Sequence, residues 1–195
     1  MDMDFGGQNF ENQVFEKIIC PGHDLADKEF FNCVFKKCDF SGCEFSRALF
    51  ADCAFYGCNL SNIKVENCAL QGVEFEGCKL LGVIFAGIKT FLIKWIFKKC
   101  SIELCDFSRL DIKGTRFLEC AIRETDFINA NLSGADFSNS DLCASKFQTT
   151  NLEKANFHGA KNYYIDPSNN RLKGANFSYP EVLSLLATTG IVIEY

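Results

Sequence analysis

Residues 102–157 read IELCDFSRLDIKGTRFLECAIRETDFINANLSGADFSNSDLCASKFQTTNLEKANF. Every fifth residue of this stretch, starting at Ile102, is large and apolar, and phenylalanine alternates with isoleucine or leucine. The side chain two positions earlier is small in every repeat but one, where Leu110 stands. A fixed short period indicates a repeat architecture, and this one decides the fold.

A period of five excludes a regular helix and a straight strand. On an α-helix, five residues advance about 140° beyond a full turn, so the apolar side chains would scatter around the axis. On a strand, odd spacing sends successive phenylalanines to opposite faces. The backbone must therefore bend once per repeat, with the central apolar residue and the small residue turned inward.

If four repeats close one coil, residues twenty apart stack in columns, and neighbouring coils lie about 4.8 Å apart as in a parallel sheet. Each column then holds one type of side chain, with phenylalanine on two opposite sides. The sequence predicts an all-β, four-sided parallel β-helix. Its expected core ladder comprises Phe107, Phe117, Phe127, Phe137, Phe147 and Phe157.

The same register begins at Phe5, so one domain is expected over residues 1–195. It divides into an N-terminal half-rod at 5–85, a register break at 86–99, a C-terminal half-rod at 100–177 and a tail at 178–195. After the break the register is expected to resume at Leu92. The break is either a packing seam between the two half-rods or a hinge or docking patch that exposes Phe91 and Trp95. Residues 158–171 are rich in turn-forming residues and are expected to leave the coil.

The tail follows a different pattern. Residues 178–181 read as a capping box with proline in the first turn, apolar residues follow at helical spacing, and Gly190 is a stop signal. We expect a C-terminal α-helix and a short strand at 191–193 that either cap the rod or join two chains. The expected dimer interface comprises Val182, Leu183, Leu185, Leu186, Ile191 and Ile193.

The composition indicates no catalytic or metal site. Ten of the 12 cysteines occupy the small inward position and are expected to be buried free thiols. Cys38, Cys58 and Cys78 share a column, but a reducing compartment argues against a bridge between them. With two histidines, no close cysteine pairs and no nucleotide or nucleophile motif, we expect no cofactor, no metal and no enzyme.

The net charge and the hydropathy of the sequence argue against nucleic acid and membrane as partners. A net charge of −5 opposes general nucleic-acid binding. No apolar run is long enough for a membrane helix, and the acidic start Met1-Asp2-Met3-Asp4 is unlike a secretory signal, so a cytoplasmic protein is expected.

Three repeats, 130–132 (Ala-Asn-Leu), 135–137 (Ala-Asp-Phe) and 155–157 (Ala-Asn-Phe), carry a resemblance to a known family. They resemble the Ala-Asp/Asn-Leu-x-x consensus of pentapeptide-repeat proteins, and the likeness extends over nearly the whole chain. The resemblance implies a right-handed quadrilateral β-helix.

The C-terminal region is similar to that of the gyrase-interacting subgroup, which includes Qnr-, AlbG- and MfpA-like proteins. The resemblance lies in 162–167 (NYYIDP), 173–178 (KGANFS), 180–181 (PE), 185–186 (LL) and 190–191 (GI). It implies a homodimer joined by the tail that binds DNA gyrase or topoisomerase IV as a duplex mimic and relieves topoisomerase inhibitors. The chain lacks the long loops of Gram-negative Qnr proteins, so it is more similar to the loopless AlbG type.

Carboxylates recur at the position before the central residue. The candidates for contact with a partner are Asp106, Asp111, Asp126, Asp136 and Asp141. The alternative is that short Asp and Asn side chains cap the bent backbone. A net charge of −5 lies far below the one charge per about 1.7 Å of duplex DNA. The alternative function is a scaffold for an unrelated protein, with Phe91, Trp95, Tyr163 and Tyr164 as contacts.

Overall fold

Parallel pairing between residues twenty positions apart builds the fold. Phe10 pairs with Phe30 and Phe15 with Phe35, so each twenty residues make one turn with four short sides. The computed structural model describes residues 5–191, which form a parallel β-solenoid of about eight turns. The predicted all-β quadrilateral β-helix is therefore confirmed.

The strands are short, because the chain turns a corner in every repeat. In chain order they are β1 (Asn9–Glu11), β2 (Val14–Glu16), β3 (Glu29–Phe31), β4 (Val34–Lys36), β5 (Leu49–Ala51), β6 (Ala54–Tyr56), β7 (Ala69–Gln71), β8 (Glu74–Glu76), β9 (Lys79–Leu81), β10 (Ile96–Lys98), β11 (Ser101–Glu103), β12 (Arg116–Leu118), β13 (Ala121–Arg123), β14 (Asn156–Phe157) and β15 (Asn176–Phe177), followed by a 3-10 helix at Glu181–Leu186.

The rod has four faces, which we number by the first inward residue of each. The first face begins at Phe5, the second at Phe10, the third at Phe15 and the fourth at Cys20. The sheet β1-β3-β5-β7 lies on the second face, β2-β4-β6-β8-β10-β12 on the third and β9-β11-β13 on the fourth. Isolated parallel bridges hold the first face and extend the others.

Each corner is turned two residues after the central one, where φ is positive. The angle is 52° at Asn12 and 56° at Lys17. Glycine and asparagine adopt this conformation at little cost, which explains their frequency there. At Gly72 space is limiting as well, since a Cβ atom would lie 2.5 Å from Oδ1 of Asp52.

Stacked rings fill the core as the twenty-residue columns predict. Phe97, Phe117, Phe137 and Phe157 stack with centroid distances of 5.1, 5.0 and 5.0 Å. The opposite column meets this one edge-on, and the centroids of Phe107 and Phe117 are 5.9 Å apart at 85°. All six phenylalanines of the expected ladder are buried.

The small inward residues have a second role that the sequence did not reveal. The Cys33 thiol donates to the carbonyl oxygen of Phe10 at 3.5 Å, and the Ser140 hydroxyl donates to that of Phe117 at 2.8 Å. The acceptor lies 23 residues earlier in both cases. Burial raises the pKa of Cys53 to about 12, so this thiol stays protonated and donates to the carbonyl oxygen of Phe30. All 12 cysteines are free, and only Cys143 is exposed.

The register break is an insertion of two residues on the second face. Ala69 pairs with Lys89, an offset of 20, whereas Glu74 pairs with Ile96, an offset of 22. The third and fourth faces continue across the break, but the sheet of the second face ends at β7.

Trp95, and not Leu92, fills the core at the break. The expectation that the register resumes at Leu92 is wrong, since this side chain is 57% exposed, while Trp95 is 1% exposed. Trp95 occupies a small-residue position and packs against Phe85 with a centroid distance of 5.6 Å. The expected exposure of Trp95 in a docking patch is therefore also wrong, whereas Phe91 is 71% exposed.

Residues 158–171 stay on the solenoid, contrary to the expected excursion. Lys161 pairs with Asp141 and Ile165 with Phe147, so the offset shortens to 18 there. Arg171 then pairs with Asn151 and restores the offset of 20. Tyr163 and Ile165 are buried and supply the missing inward side chains, which is why the chain need not leave the coil.

The C-terminal helix is a 3-10 helix, not the expected α-helix with a capping box. Its N-cap is Pro180, and no side chain caps it. The hydroxyl of Ser178 instead accepts a hydrogen bond from the backbone N–H of Gly159 at 2.9 Å, so it is engaged by the preceding coil. The expected strand at 191–193 falls mostly outside the described residues.

Candidate functional site

The five candidate carboxylates are distributed over all four faces. Asp106 and Asp126 are register partners on the first face. Asp111 lies on the second face, Asp136 on the third and Asp141 on the fourth. They do not form one stripe along the rod, so any single docking surface uses only some of them.

Several of these carboxylates cap the backbone, as the alternative reading expects. Oδ1 of Asp106 accepts the N–H of Ser108 at 2.8 Å, and Oδ1 of Asp136 accepts that of Ser138 at 3.0 Å. The amide of Asn131 donates to Asp111 at 2.8 Å. The turn geometry therefore explains part of the acidic pattern.

Cations pair with three of the five. Lys113 Nζ lies 3.6 Å from Asp111, Lys146 Nζ lies 3.1 Å from Asp126, and Arg123 lies 3.3 Å from Asp141. Burial alone would raise the pKa of Asp141, but hydrogen bonds from Asn162 and Arg123 outweigh it and hold this pKa below its usual value. Asp141 is therefore ionised and closely held at neutral pH.

The first face stacks carboxylates directly on one another. Asp24 pairs with Glu44, and Asp106 pairs with Asp126. Like charges on directly adjacent strands are destabilising, and this cost offsets part of what Asp24, Glu44 and Asp106 contribute by accepting backbone N–H groups. Asp24 was not among the candidates predicted from the sequence, although the twenty-residue spacing that revealed the core also links it to Glu44. We call Asp24, Glu44, Glu66, Asp106 and Asp126 the acidic face.

A groove lies between the two carboxylate pairs. Its volume is about 440 Å³, and its lining includes Glu44, Glu66, Ile63 and the exposed Ile84. The Ser46 hydroxyl and Lys64 donate to Glu44 and hold its pKa below the usual value. The groove thus combines carboxylates and Lys64 with the apolar side chains of Ile63 and Ile84 in its lining.

The tail presents an incompletely covered apolar surface. Val182, Leu183, Leu185 and Leu186 are half-buried in the single chain, and Ile191 is exposed. A cavity of about 520 Å³ is lined in part by Leu183, Leu186 and Ile191. The remaining residue of the expected dimer interface, Ile193, lies outside the described residues.

The other candidate contacts divide between core and surface. Tyr163 is buried under the helix, where burial raises its pKa to about 12, and Tyr164 is exposed. Within residues 5–191, His, Cys, Asp and Glu side chains form no group of three or more that could hold a metal ion. Across the same residues, no helix has the length and apolar character that a membrane crossing requires.

Comparison with known proteins places these features in a family context. A family model described as "Pentapeptide repeat region" matches residues 28–103 and 89–157. No curated protein sequence matches the chain significantly.

Solved structures share the architecture. Two trypsin-treated variants of QnrB1, a plasmid-mediated fluoroquinolone resistance protein, match with TM-scores of 0.72 and 0.73 at 19% and 23% identity. The matches cover 93% and 95% of this chain and 100% and 90% of those chains. HetL, a pentapeptide repeat protein involved in heterocyst differentiation regulation from the cyanobacterium Nostoc sp. strain PCC 7120, matches with a TM-score of 0.52 and 14% identity, covering 89% of this chain and 88% of HetL.

Proposed function

The chain belongs to the pentapeptide-repeat family, and we propose that it is a non-enzymatic protein that binds a type II topoisomerase by imitating duplex DNA. The proposed partner is DNA gyrase or topoisomerase IV, and the proposed consequence is protection of that enzyme from quinolones or peptide toxins. The proposed active form is a cytoplasmic homodimer.

The stacked carboxylates of the acidic face are the observation that carries this proposal. Asp24 with Glu44 and Asp106 with Asp126 place like charges on adjacent coils, at a cost to stability. Each pair places two carboxylates about 4.8 Å apart on one face of the rod, and the two pairs offer a topoisomerase two patches of negative charge. Lys64 and Ile84 occupy the coils between the pairs, and Lys64 and Lys146 partly neutralise the carboxylates, which makes the charge weaker than that of a phosphate backbone.

The likeness in fold to QnrB1 supports the same function. That protein is described as conferring fluoroquinolone resistance, and its chain is matched over 90–100% of its length. At 19–23% identity the likeness supports the shape of the rod alone, so the residues that would contact the partner must come from this chain.

A gyrase supercoiling assay tests the proposal. The purified protein should alter supercoiling, or restore it in the presence of albicidin, a microcin or a quinolone. The double variant Asp106→Asn/Asp126→Asn should need roughly tenfold more protein for the same effect, because it removes one stacked pair from the acidic face. Asp111→Asn, on another face, is the matched control and should act like the wild type.

Two results would oppose the proposal. If a large excess of wild-type protein leaves supercoiling and inhibition unchanged, topoisomerase binding is wrong. If affinity capture enriches another protein and no topoisomerase subunit, the alternative of a scaffold with an unrelated partner replaces it.

Dimerisation through the tail requires a separate test. Leu186 is half-buried and lines the apolar cavity next to Ile191. In a dimer, Leu186→Asp would bury an unpaired charge, so light scattering should show monomers. An unchanged mass for this variant, or a monomeric wild type, would contradict the proposed interface.

A further inference from the structure

The two-residue insertion produces a rigid apolar projection on the second face. We call residues 90–94 the bulge. Phe91 and Leu92 are 71% and 57% exposed there, and Leu92 has φ of 58°, an uncommon conformation for a leucine. The buried Trp95 fixes the C-terminal end of the bulge, because its Nε1 donates to the Leu70 carbonyl oxygen at 2.8 Å.

In the coil that follows the bulge, one core hydroxyl lacks the hydrogen bond that its counterparts in other coils make. The hydroxyl of Thr115 is buried and has no hydrogen-bond partner. In other coils the inward hydroxyl donates to the carbonyl 23 residues earlier, as Thr125 does to Ile102 and Thr150 to Phe127. Counted back by 23 residues, or by 25 as in the bonds that cross the insertion, the acceptor position for Thr115 is Leu92 or Thr90, and both lie in the bulge. The bulge therefore places apolar side chains in solvent and leaves one core hydroxyl unpaired, which the packing of the rod alone does not account for.

A small groove beside the bulge can receive a side chain. Its volume is about 150 Å³, and it is lined by Leu92, Lys94, Ala51, Asp52, Gln71 and Gly72. Leu92 forms one wall, and Ala51 on β5 supplies an apolar part of the lining. The size suits one aliphatic or aromatic side chain inserted against the second face.

The charge around the bulge defines the partner. Residues 77–102 contain five lysines and no carboxylate, in a chain with a net charge of −5. Lys98 pairs with Glu76 at 3.1 Å and Lys99 with Glu119 at 3.9 Å. Lys89 and Lys94, on either side of Phe91 and Leu92, are exposed and form no ion pair within the part of the chain that the structure describes.

We infer that the bulge is a docking site for an acidic protein segment that inserts one large apolar side chain beside Leu92 and places carboxylates on Lys89 and Lys94. Exposed apolar groups rimmed by cations are complementary to such a segment. Phe91 offers one ring on which a base could stack, but the groove beside it is lined by the aliphatic Leu92 and by Ala51, and this lining favours an apolar protein side chain over a series of stacked bases. The inference does not depend on the topoisomerase proposal, since the bulge and the acidic face lie on different sides of the rod.

The test uses the full-length, isotope-labelled protein and two short synthetic peptides. Both have a central leucine, which is flanked by Asp and Glu in one and by Lys in the other. The acidic peptide should shift the amide resonances of residues around 51, 71 and 89–95. The double variant Phe91→Ser/Leu92→Asn should bind it at least about tenfold more weakly, and Lys89→Glu/Lys94→Glu should do the same.

Matched controls distinguish binding at the bulge from nonspecific binding to other exposed apolar or basic side chains. Ile19→Ser removes an equally exposed apolar side chain on the fourth face, and Lys37→Glu reverses an exposed lysine on the third face. Both should bind the acidic peptide like the wild type. Asparagine tolerates the conformation of Leu92, and thermal unfolding should show that the bulge variants remain folded.

Four outcomes would overturn the inference. These are no binding of the acidic peptide, equal binding of the lysine peptide, shifts that lie away from residues 51, 71 and 89–95, and equal binding by the bulge variants. Tighter binding of an oligothymidylate at the bulge would assign the site to single-stranded nucleic acid. Self-association that the bulge variants abolish would assign it to a second copy of this chain.

Discussion

Nε1 of Trp95 donates a hydrogen bond to the carbonyl oxygen of Leu70 at 2.8 Å, across 25 positions of sequence. Cys100 and Cys105, in the next two inward positions, make the equivalent bond to Phe75 and Leu80 over the same separation. The Trp95 indole thus makes the hydrogen bond that a cysteine thiol makes in the next two repeats. It also fills the core space that Leu92 leaves empty. At the register break, Trp95 therefore satisfies both the packing of the core and the hydrogen bonding of the backbone.

Two substitutions at Trp95 should separate these roles. Trp95→Phe retains a ring but leaves the Leu70 carbonyl unpaired, and should lower the free energy of unfolding by about 1–3 kcal/mol. Trp95→Ala also creates a cavity and should cost about 3–5 kcal/mol. Urea unfolding followed by circular dichroism measures both. A loss below about 1 kcal/mol for Trp95→Ala would contradict its place in the core.

Thr115 and Thr150 form a matched pair for the hydroxyl bonds. Thr150 donates to the Phe127 carbonyl oxygen at 2.8 Å, so Thr150→Val should destabilise the protein by about 1–3 kcal/mol. Thr115 has no partner, so Thr115→Val removes a buried unsatisfied group and should leave the midpoint of thermal unfolding unchanged or raise it. Equal losses for the two variants would show that Thr115 is hydrogen-bonded.

The thiols should differ sharply in reactivity. Only Cys143 of the 12 cysteines is exposed, and burial raises the pKa of Cys53 and Cys68 to about 12. Because the thiolate is the reactive form, a thiol reagent near pH 8 should modify one cysteine in the folded protein and all of them in denaturant. Cys143→Ser should abolish the fast phase. Several fast-reacting thiols in that variant would mean that the core opens readily.

Acid should remove the contribution of Asp141 to stability. Its folded-state pKa lies below the ordinary 3.8, so its ionised form stabilises the fold above that value and the contribution is lost as pH falls through the folded-state pKa. Asp141→Asn should therefore be less stable than wild type at pH 7, and the difference should shrink below about pH 4. Arg123→Met should remove part of the same pH dependence. A difference that is constant from pH 7 to 3 would contradict the assignment.

The core was predictable because its pattern repeats without interruption. Spacing alone placed Phe117 over Phe97 and Phe137 over Phe117, since close packing favours like side chains in a column. The same rule applied to charged positions would have paired Asp24 with Glu44. The sequence could not show the bonds of the small residues, because alanine fills the same position where no donor is present, as at Ala135.

The wrong predictions lie where a neighbouring side chain fills the core space that the five-residue count assigns to another residue. Leu92 fits the five-residue count, but Trp95 offers a larger buried surface and a donor, and it fills the core instead. Tyr163 likewise replaces its neighbour Asn162, which is exposed and turns the corner with φ of 59°. At the tail, the capping pattern failed because Ser178 bonds to Gly159 in the preceding coil. In each case tertiary contacts outweigh the local signal.

The change of offset from 20 to 22 has a consequence for how this chain can vary in length. Within residues 100–157, removing or duplicating a block of twenty residues returns every side chain to an equivalent position. The rod can therefore be shortened or extended by one turn without a change of register. A block that spans residues 89–96 has no such equivalent, because its ends differ by two positions. Relatives whose rods differ in length should therefore differ by whole turns on either side of Trp95 and keep the turn that contains the insertion intact.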